Sequence, residues 1–149
     1  MLVDRLVDTG EAILSLVAVD AGETIGHVLF SRLRVTTADG DDLAAAALAP
    51  LAVLPRYQRR GAGAALVREG LDRVAARKIE VVIVLGDPAY YGRSGFSADR
   101  ARTLRGPFTG RTWMVLELVP YALRERSATV AYSSAFGVLS ALTDASVIS

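Results

Sequence analysis

Residues Leu43 to Leu54 run without a single charge and then break, at Pro55, into the basic loop Arg56-Tyr57-Gln58-Arg59-Arg60-Gly61-Ala62-Gly63. This junction restricts the fold more than any other stretch. An almost wholly apolar run of that length fits a central strand covered on both faces of a sheet. Pro50 inside it lacks a backbone donor, which predicts a bulge or an edge at that point. Beyond the loop the period changes. Ala62, Leu66, Val67, Gly70, Leu71, Val74 and Ala75 recur at helical spacing, so Gly61 to Lys78 reads as an amphipathic helix with these residues on its buried face. Arg68, Asp72, Arg73 and Lys78 fall mostly on the other side, and Glu69 and Arg73 stand four apart in the favourable order for an ion pair.

The remaining elements arrange themselves around this strand–loop–helix unit. Leu2, Val3, Leu6 and Val7 suit a short amphipathic helix that Gly10 ends. Ala12 to Val19 and Thr24 to Thr36 read as strands, separated by the turn Asp20-Ala21-Gly22-Glu23. Asp39-Gly40-Asp41-Asp42 then turns the second of these into Leu43 to Leu54. Glu80 to Leu85 is a short buried strand. Gly86-Asp87-Pro88 ends it and starts a helical turn, with Pro88 at the first helical position and the Asp87 carboxylate as its cap. Thr112 to Val119 and Ala128 to Tyr132 are two further strands, and the tail from Thr143 is expected to be loose. One crossover joins parallel strands and the earlier part is antiparallel, so the chain is expected to be a single mixed-sheet α/β (α+β) domain over residues 1–149.

Composition removes several classes of function. The chain has 17 basic and 16 acidic residues, a formal charge of +1, which argues against a general nucleic-acid binder. It has no cysteine, so disulfides, thiolate metal sites and a cysteine nucleophile are excluded. Its one histidine, His27, cannot build a multi-histidine metal site within one chain, and no metal is expected. The N-terminus meets charge at Asp4 and Arg5 and does not read as a secretory leader. The uncharged run Ser127 to Thr143 is too polar to span a bilayer. The expected location is the cytoplasm, without membrane contact.

The loop from Arg56 to Gly63 carries the most chemistry. Its glycines let backbone approach a ligand closely, the helix start offers unpaired N–H groups, and Arg56, Arg59 and Arg60 add positive charge. These features describe an anion site without saying which anion. A Walker loop needs Lys and then Ser or Thr after its last glycine, where Ala64 and Ala65 stand. A dinucleotide fingerprint needs a third glycine. A tight turn with merely solvated arginines also remains open on these grounds.

Two motifs together are more specific. Gln58-x-x-Gly61-x-Gly63 resembles the Gln/Arg-x-x-Gly-x-Gly/Ala signature of the GNAT acetyltransferases, and it lies between a long apolar strand and a helix, as in that family. Gly86-Asp87-Pro88-Ala89-Tyr90-Tyr91-Gly92-Arg93-Ser94-Gly95-Phe96 resembles the family's second block, which ends in Tyr-x-x-x-Gly-Phe. Leu51-Ala52-Val53-Leu54-Pro55 with these motifs is most similar to the YhbS-like branch. The resemblance covers roughly Leu2 to Val119. It implies the GNAT fold, although the family's usual N-terminal first strand is expected to be lacking here.

The resemblance further implies an N-acetyltransferase that uses acetyl-CoA as acyl donor, with the acceptor amine attacking directly through a tetrahedral intermediate. The acceptor would be a small molecule or a protein N-terminus or lysine, and a homodimer is compatible with it. In this reading the backbone of Leu51, Ala52 and Val53 pairs with the pantetheine arm, and the Val53 N–H meets the thioester oxygen. Gln58, Arg59, Arg60, Gly61, Ala62, Gly63 and Ala64 hold the pyrophosphate. Tyr91 protonates the leaving thiolate, with Tyr90 as the substitute. No base is implied by Leu43 to Leu54, and His27, alone on an apolar strand, is expected to be structural. Phe96, Phe108 and Trp113 are expected in the core. The sequence is also compatible with two other readings: a catalytically weak or inactive acyl-CoA-binding module that senses or scaffolds, and an interaction domain whose loop binds nothing.

Overall fold

The computed structural model describes residues 2–5, 12–108, 110, 112–124 and 126–132. Its strands are β1 (Leu2–Arg5), β2 (Ala12–Asp20), β3 (Glu23–Thr37), β4 (Asp42–Val53), β5 (Val81–Leu85), β6 (Leu104–Arg105), β7 (Trp113–Glu117) and β8 (Ala128–Ala131). The helices are α1 (Ala62–Ala76) and α2 (Pro88–Tyr91), with short 3₁₀ turns at Pro55–Tyr57, Gly92–Ser94 and Arg100–Thr103. The main path of the sheet runs β1-β2-β3-β4-β5-β7. Only β4 and β5 are parallel along it, and α1 is the crossover between them.

The expected helix over Leu2 to Val7 is a strand where the structure describes it. Leu2 pairs with Val19 and Arg5 with Leu16, antiparallel, so the edge beside β2 is filled by this segment. Four residues are too few to hold a helix by local bonds alone, and the ladder offered by β2 satisfies the backbone instead. Leu6 to Glu11 and the tail beyond Thr143 lie outside the described residues.

Sheet burial follows from alternation along β4. Ala46, Leu48, Leu51 and Val53 face α1, while Ala45, Ala47 and Ala49 face a second core with Trp113, Val115 and Leu104. The step from Leu48 to Leu51 breaks the period of two. Phe30 pairs with Leu48 and Val28 with Leu51, so Leu29 alone stands opposite Ala49 and Pro50. This is the bulge that Pro50 predicts, and it turns the last residues of β4 back onto the helix side.

Helix α1 buries Ala62, Gly63, Leu66, Val67, Gly70, Leu71 and Val74. Ala75, expected on that face, is exposed because it falls at the edge of the stripe, one residue from the helix end. Glu69 and Arg73 form the expected pair at 2.7 Å. Gly70 lies directly against the Phe30 ring and leaves no room for a Cβ.

On the other face of the sheet, the end around Leu33, Val35 and Ala45 is closed by the chain itself. β3 is long enough to carry β2 along Glu23–Ser31 and β8 along Arg34–Thr37 on one edge. β8 also pairs in parallel with β6, a two-residue strand in a stretch that has no strand signal in the sequence. Arg126 ties this return segment to the β3–β4 turn, donating to Asp39 at 3.1 Å and Asp41 at 2.6 Å and to the carbonyls of Ala122 and Leu123. Trp113 and Phe96 are buried as expected, and Phe108 is half-buried against Tyr132.

Candidate functional site

The parallel pairing of β4 with β5 stops at Leu48 and Val84. Beyond that point β4 continues to Val53 beside β3 alone, while β5 ends at Leu85 against Trp113. A slot therefore opens between Ala49–Val53 and the residues that follow Leu85. Among the described residues, its β4 wall has backbone groups with no ladder partner. The Leu54 N–H donates to the Ile25 carbonyl at 2.8 Å, which fixes the alternation. Ala52 then faces β3, and the N–H groups of Leu51 and Val53 face the slot. The Val53 carbonyl faces the same way and accepts a bond from Gln58 Nε2 at 3.0 Å.

Gln58 thus does something the sequence alone does not reveal. Its side-chain amide caps the end of β4 and pins the loop to the strand. Its position after the 3₁₀ turn Pro55–Tyr57 brings it back over the strand that precedes it. Arg59 and Gly61 both take positive φ, 64° and 91°. Alternation of this kind turns successive N–H groups toward one point, the chemistry of an anion nest. Gly61 is the N-cap of α1, and no side chain caps that helix start. The first intrahelical bond of the turn is Ala65 N–H to the Gly61 carbonyl at 2.9 Å. The donors of Ala62, Gly63 and Ala64 precede it and are the orphan groups of the helix start. No acidic residue lies in the first turn, so no carboxylate of the helix itself opposes an incoming anion there.

The arginines of the loop divide. Arg56 is paired with Glu23 and lies 5.2 Å from the centre of the Tyr57 ring, so its charge is engaged away from the helix start. Arg60 also approaches Tyr57, at 5.8 Å, and its residue is exposed. Gly26 on β3 admits Leu66 at the base of this region, where a Cβ would meet Leu66 Cδ1 at 3.1 Å. Neither Gly26 nor Glu23 belongs to a sequence motif, yet both bear on this region. A glycine inside a β-branched strand is the signal that marks close approach.

On the β5 side, Asp87 accepts from the Ala89 N–H at 3.0 Å and Pro88 opens α2, as expected. Tyr91 is 2% exposed. Its ring meets Tyr90 edge-on at 5.0 Å and Phe96 at 5.8 Å, and Gly86 lies flat against its Cε2 edge. Burial pushes the Tyr91 phenol well above its ordinary value, so it holds its proton. The Tyr90 hydroxyl is buried without a hydrogen-bond partner among the described residues. Its proton is also held more tightly than usual, for the same reason.

A mixed sheet that opens at one parallel pair, with a helix start at the mouth of the opening, is the arrangement of the GNAT fold. Residues 3–98 match the acetyltransferase (GNAT) domain model. The chain belongs to the GNAT acetyltransferase family. It is 38% identical over 138 residues to the uncharacterized N-acetyltransferase YhbS of Escherichia coli K12, across 91% of this chain and 81% of that protein. The crystal structure of Escherichia coli YhbS in complex with CoA superposes with a TM-score of 0.74, covering 85% of this chain and 70% of that one. A GNAT acetyltransferase from Brucella melitensis in complex with acetyl-CoA is 33% identical with a TM-score of 0.64, covering 83% and 68%.

Proposed function

We propose that the protein transfers an acetyl group from acetyl-CoA to an acceptor amine, acting in the cytoplasm as one catalytic unit. The observation that carries this reading is the slot: two unpaired β4 N–H groups in line with an uncapped helix start free of acidic residues. Leu51 to Val53 would pair with the pantetheine arm as an added strand. The N–H groups from Arg59 to Ala64 would take the pyrophosphate, with Gln58 holding the strand end in place. The chemistry CoA supplies is an activated thioester carbonyl. The Val53 N–H faces the oxygen of that carbonyl and the charge that develops on it during attack.

Tyr91 is the proton donor to the departing thiolate. A phenol that burial keeps protonated is suited to give its proton to a sulfur anion formed beside it. The burial of Tyr91 also favours a second reading, a CoA-binding module in which this hydroxyl never meets the sulfur.

One set of measurements decides. Calorimetry should detect CoA and acetyl-CoA, and absence of binding by either would end both readings. Thiol release from acetyl-CoA over a panel of amines should fall by about 10²-fold or more in Tyr91→Phe while CoA affinity holds. Binding without release in the parent protein would favour the module.

A further inference from the structure

The reading above leaves the amine without a proton acceptor. We infer that His27 is that acceptor, set beside the slot on the partly covered face of the sheet away from α1; this rests on the acetyl-transfer reading. The placement follows from register. Leu51 and Val53 belong to the core under α1, so Ala52 between them projects from the opposite face. Ala52 pairs with His27 on β3, and paired residues share a face. His27 therefore projects from the side of the sheet away from α1, one strand spacing, about 4.8 Å, from the β4 residue that precedes Val53.

The direction of attack selects the same side. A thioester whose oxygen meets the Val53 N–H presents one face of its carbonyl carbon toward α1. That face is closed by Ala62, Leu66, Val53 and Tyr91, all buried in one core. The amine has to arrive from the opposite face, where Ala52 and Pro50 are only partly covered. Among the described residues on that face, His27 is the one group that changes charge near neutral pH.

His27 is also held ready. Its Nε2 lies 2.7 Å from Ser15 Oγ, a hydroxyl on β2 that is itself buried. With Nε2–H donating to Ser15, Nδ1 carries the ring's free lone pair and is the atom that accepts. Burial lowers the pKa of His27 from its ordinary value, which keeps the ring neutral at pH 7. Among the described residues, the groups facing it are Ser15 and Val17 on β2, Leu29 on its own strand, and Ala52 and Pro50 on β4, none of them charged. Asp4 stands one strand further out, in register with Val17, and Glu23 at the start of β3 is tied to Arg56.

The step balances. The acceptor arrives as an ammonium and gives one proton, through a bridging water, to His27 Nδ1. The freed amine forms the C–N bond, the C–S bond breaks with its electron pair on sulfur, and the nitrogen loses a second proton as the sulfur gains one. His27 then returns its proton to solvent.

The test uses the full chain, acetyl-CoA, and a panel of an arylalkylamine, a polyamine, an aminosugar and a dipeptide. In the parent protein, kcat/KM should fall on the acid side along a limb centred below 6.5, the ordinary histidine value. His27→Gln should lose that limb and about 10²-fold in kcat or more, with KM for acetyl-CoA and calorimetric CoA affinity unchanged. Ser15→Ala should keep the limb at a lower rate. Because the chain has one histidine, its imidazole resonance is unambiguous, and it should shift when CoA binds. A His27→Gln rate within threefold of the parent, with the acid limb intact, overturns the inference while leaving acetyl transfer standing. An imidazole resonance blind to bound CoA overturns it as well. A parent protein that binds CoA but acetylates no amine overturns the transfer reading, and the base falls with it.

Discussion

Replacing Gly86 by alanine tests whether the Tyr91 ring is where the chemistry needs it. A Cβ at position 86 would stand 2.5 Å from Tyr91 Cε2 and 3.0 Å from Cδ2. Carbon atoms rest at about 3.5–4.0 Å, so the ring or the backbone has to give by about 1 Å. The ring has no free volume to enter, because Tyr90 and Phe96 close its other edges. Overpacking of this kind costs about 1–3 kcal/mol. For a chain of 149 residues that is a melting temperature lower by roughly 3–10 °C. A displacement of about 1 Å at a proton donor also costs on the order of 10²-fold in the transfer step. CoA affinity should hold, since the helix start lies on a different element.

Gly92→Ala is the matched control. Its φ is −58°, ordinary helical backbone, and a Cβ there meets nothing within 4 Å. Its stability and rate should match the parent within about 0.5 kcal/mol. A Gly86→Ala protein with parental melting temperature would refute the packing argument. A protein that melts early yet turns over at the parental rate would refute the role of Tyr91.

Other substitutions give separate readouts. Gly61→Ala puts a side chain at φ 91° with no clash to relieve, so it should cost about 1–2 kcal/mol and weaken CoA in calorimetry by disordering the helix start. Tyr90→Phe removes a buried hydroxyl with no partner among the described residues and should raise the melting temperature of the free protein by about 2 °C or more; a lower one would show that the hydroxyl is satisfied in solution. Since burial lowers the His27 pKa in the folded state, the unfolded chain takes up its proton first as pH falls. Stability should therefore decline from pH 6.5 down to the folded value and be level above it, and urea midpoints of His27→Gln should lack that slope.

The parts of this molecule that are legible in sequence are those set by local pattern. Leu43 to Leu54, Pro50 and the stripe from Ala62 to Val74 each carry their own period, and the strand, bulge and helix follow from it. The Asp87-Pro88 helix start is legible for the same reason. What fails is what depends on a partner far along the chain. Leu2 to Arg5 has the spacing of a helix, and the ladder of β2 makes it a strand. β6 has two residues and exists because β8 passes beside it. Within the candidate site, Gln58 is visible as part of a motif, but its bond to the Val53 carbonyl depends on how the loop folds back. The face on which His27 stands depends on its register with Ala52, which no single strand contains.

The uncapped, acid-free start of α1 has a consequence for the life of the chain. Among the described residues no side chain caps its positive end, so an anion that binds there stabilises the folded form alone. By mass action, a ligand at a hundred times its dissociation constant adds about 2.7 kcal/mol. With CoA as that ligand, resistance to heat and to proteases would rise and fall with the thioester supply. The amount of folded protein would then register the acyl-donor level directly, before any amine is acetylated.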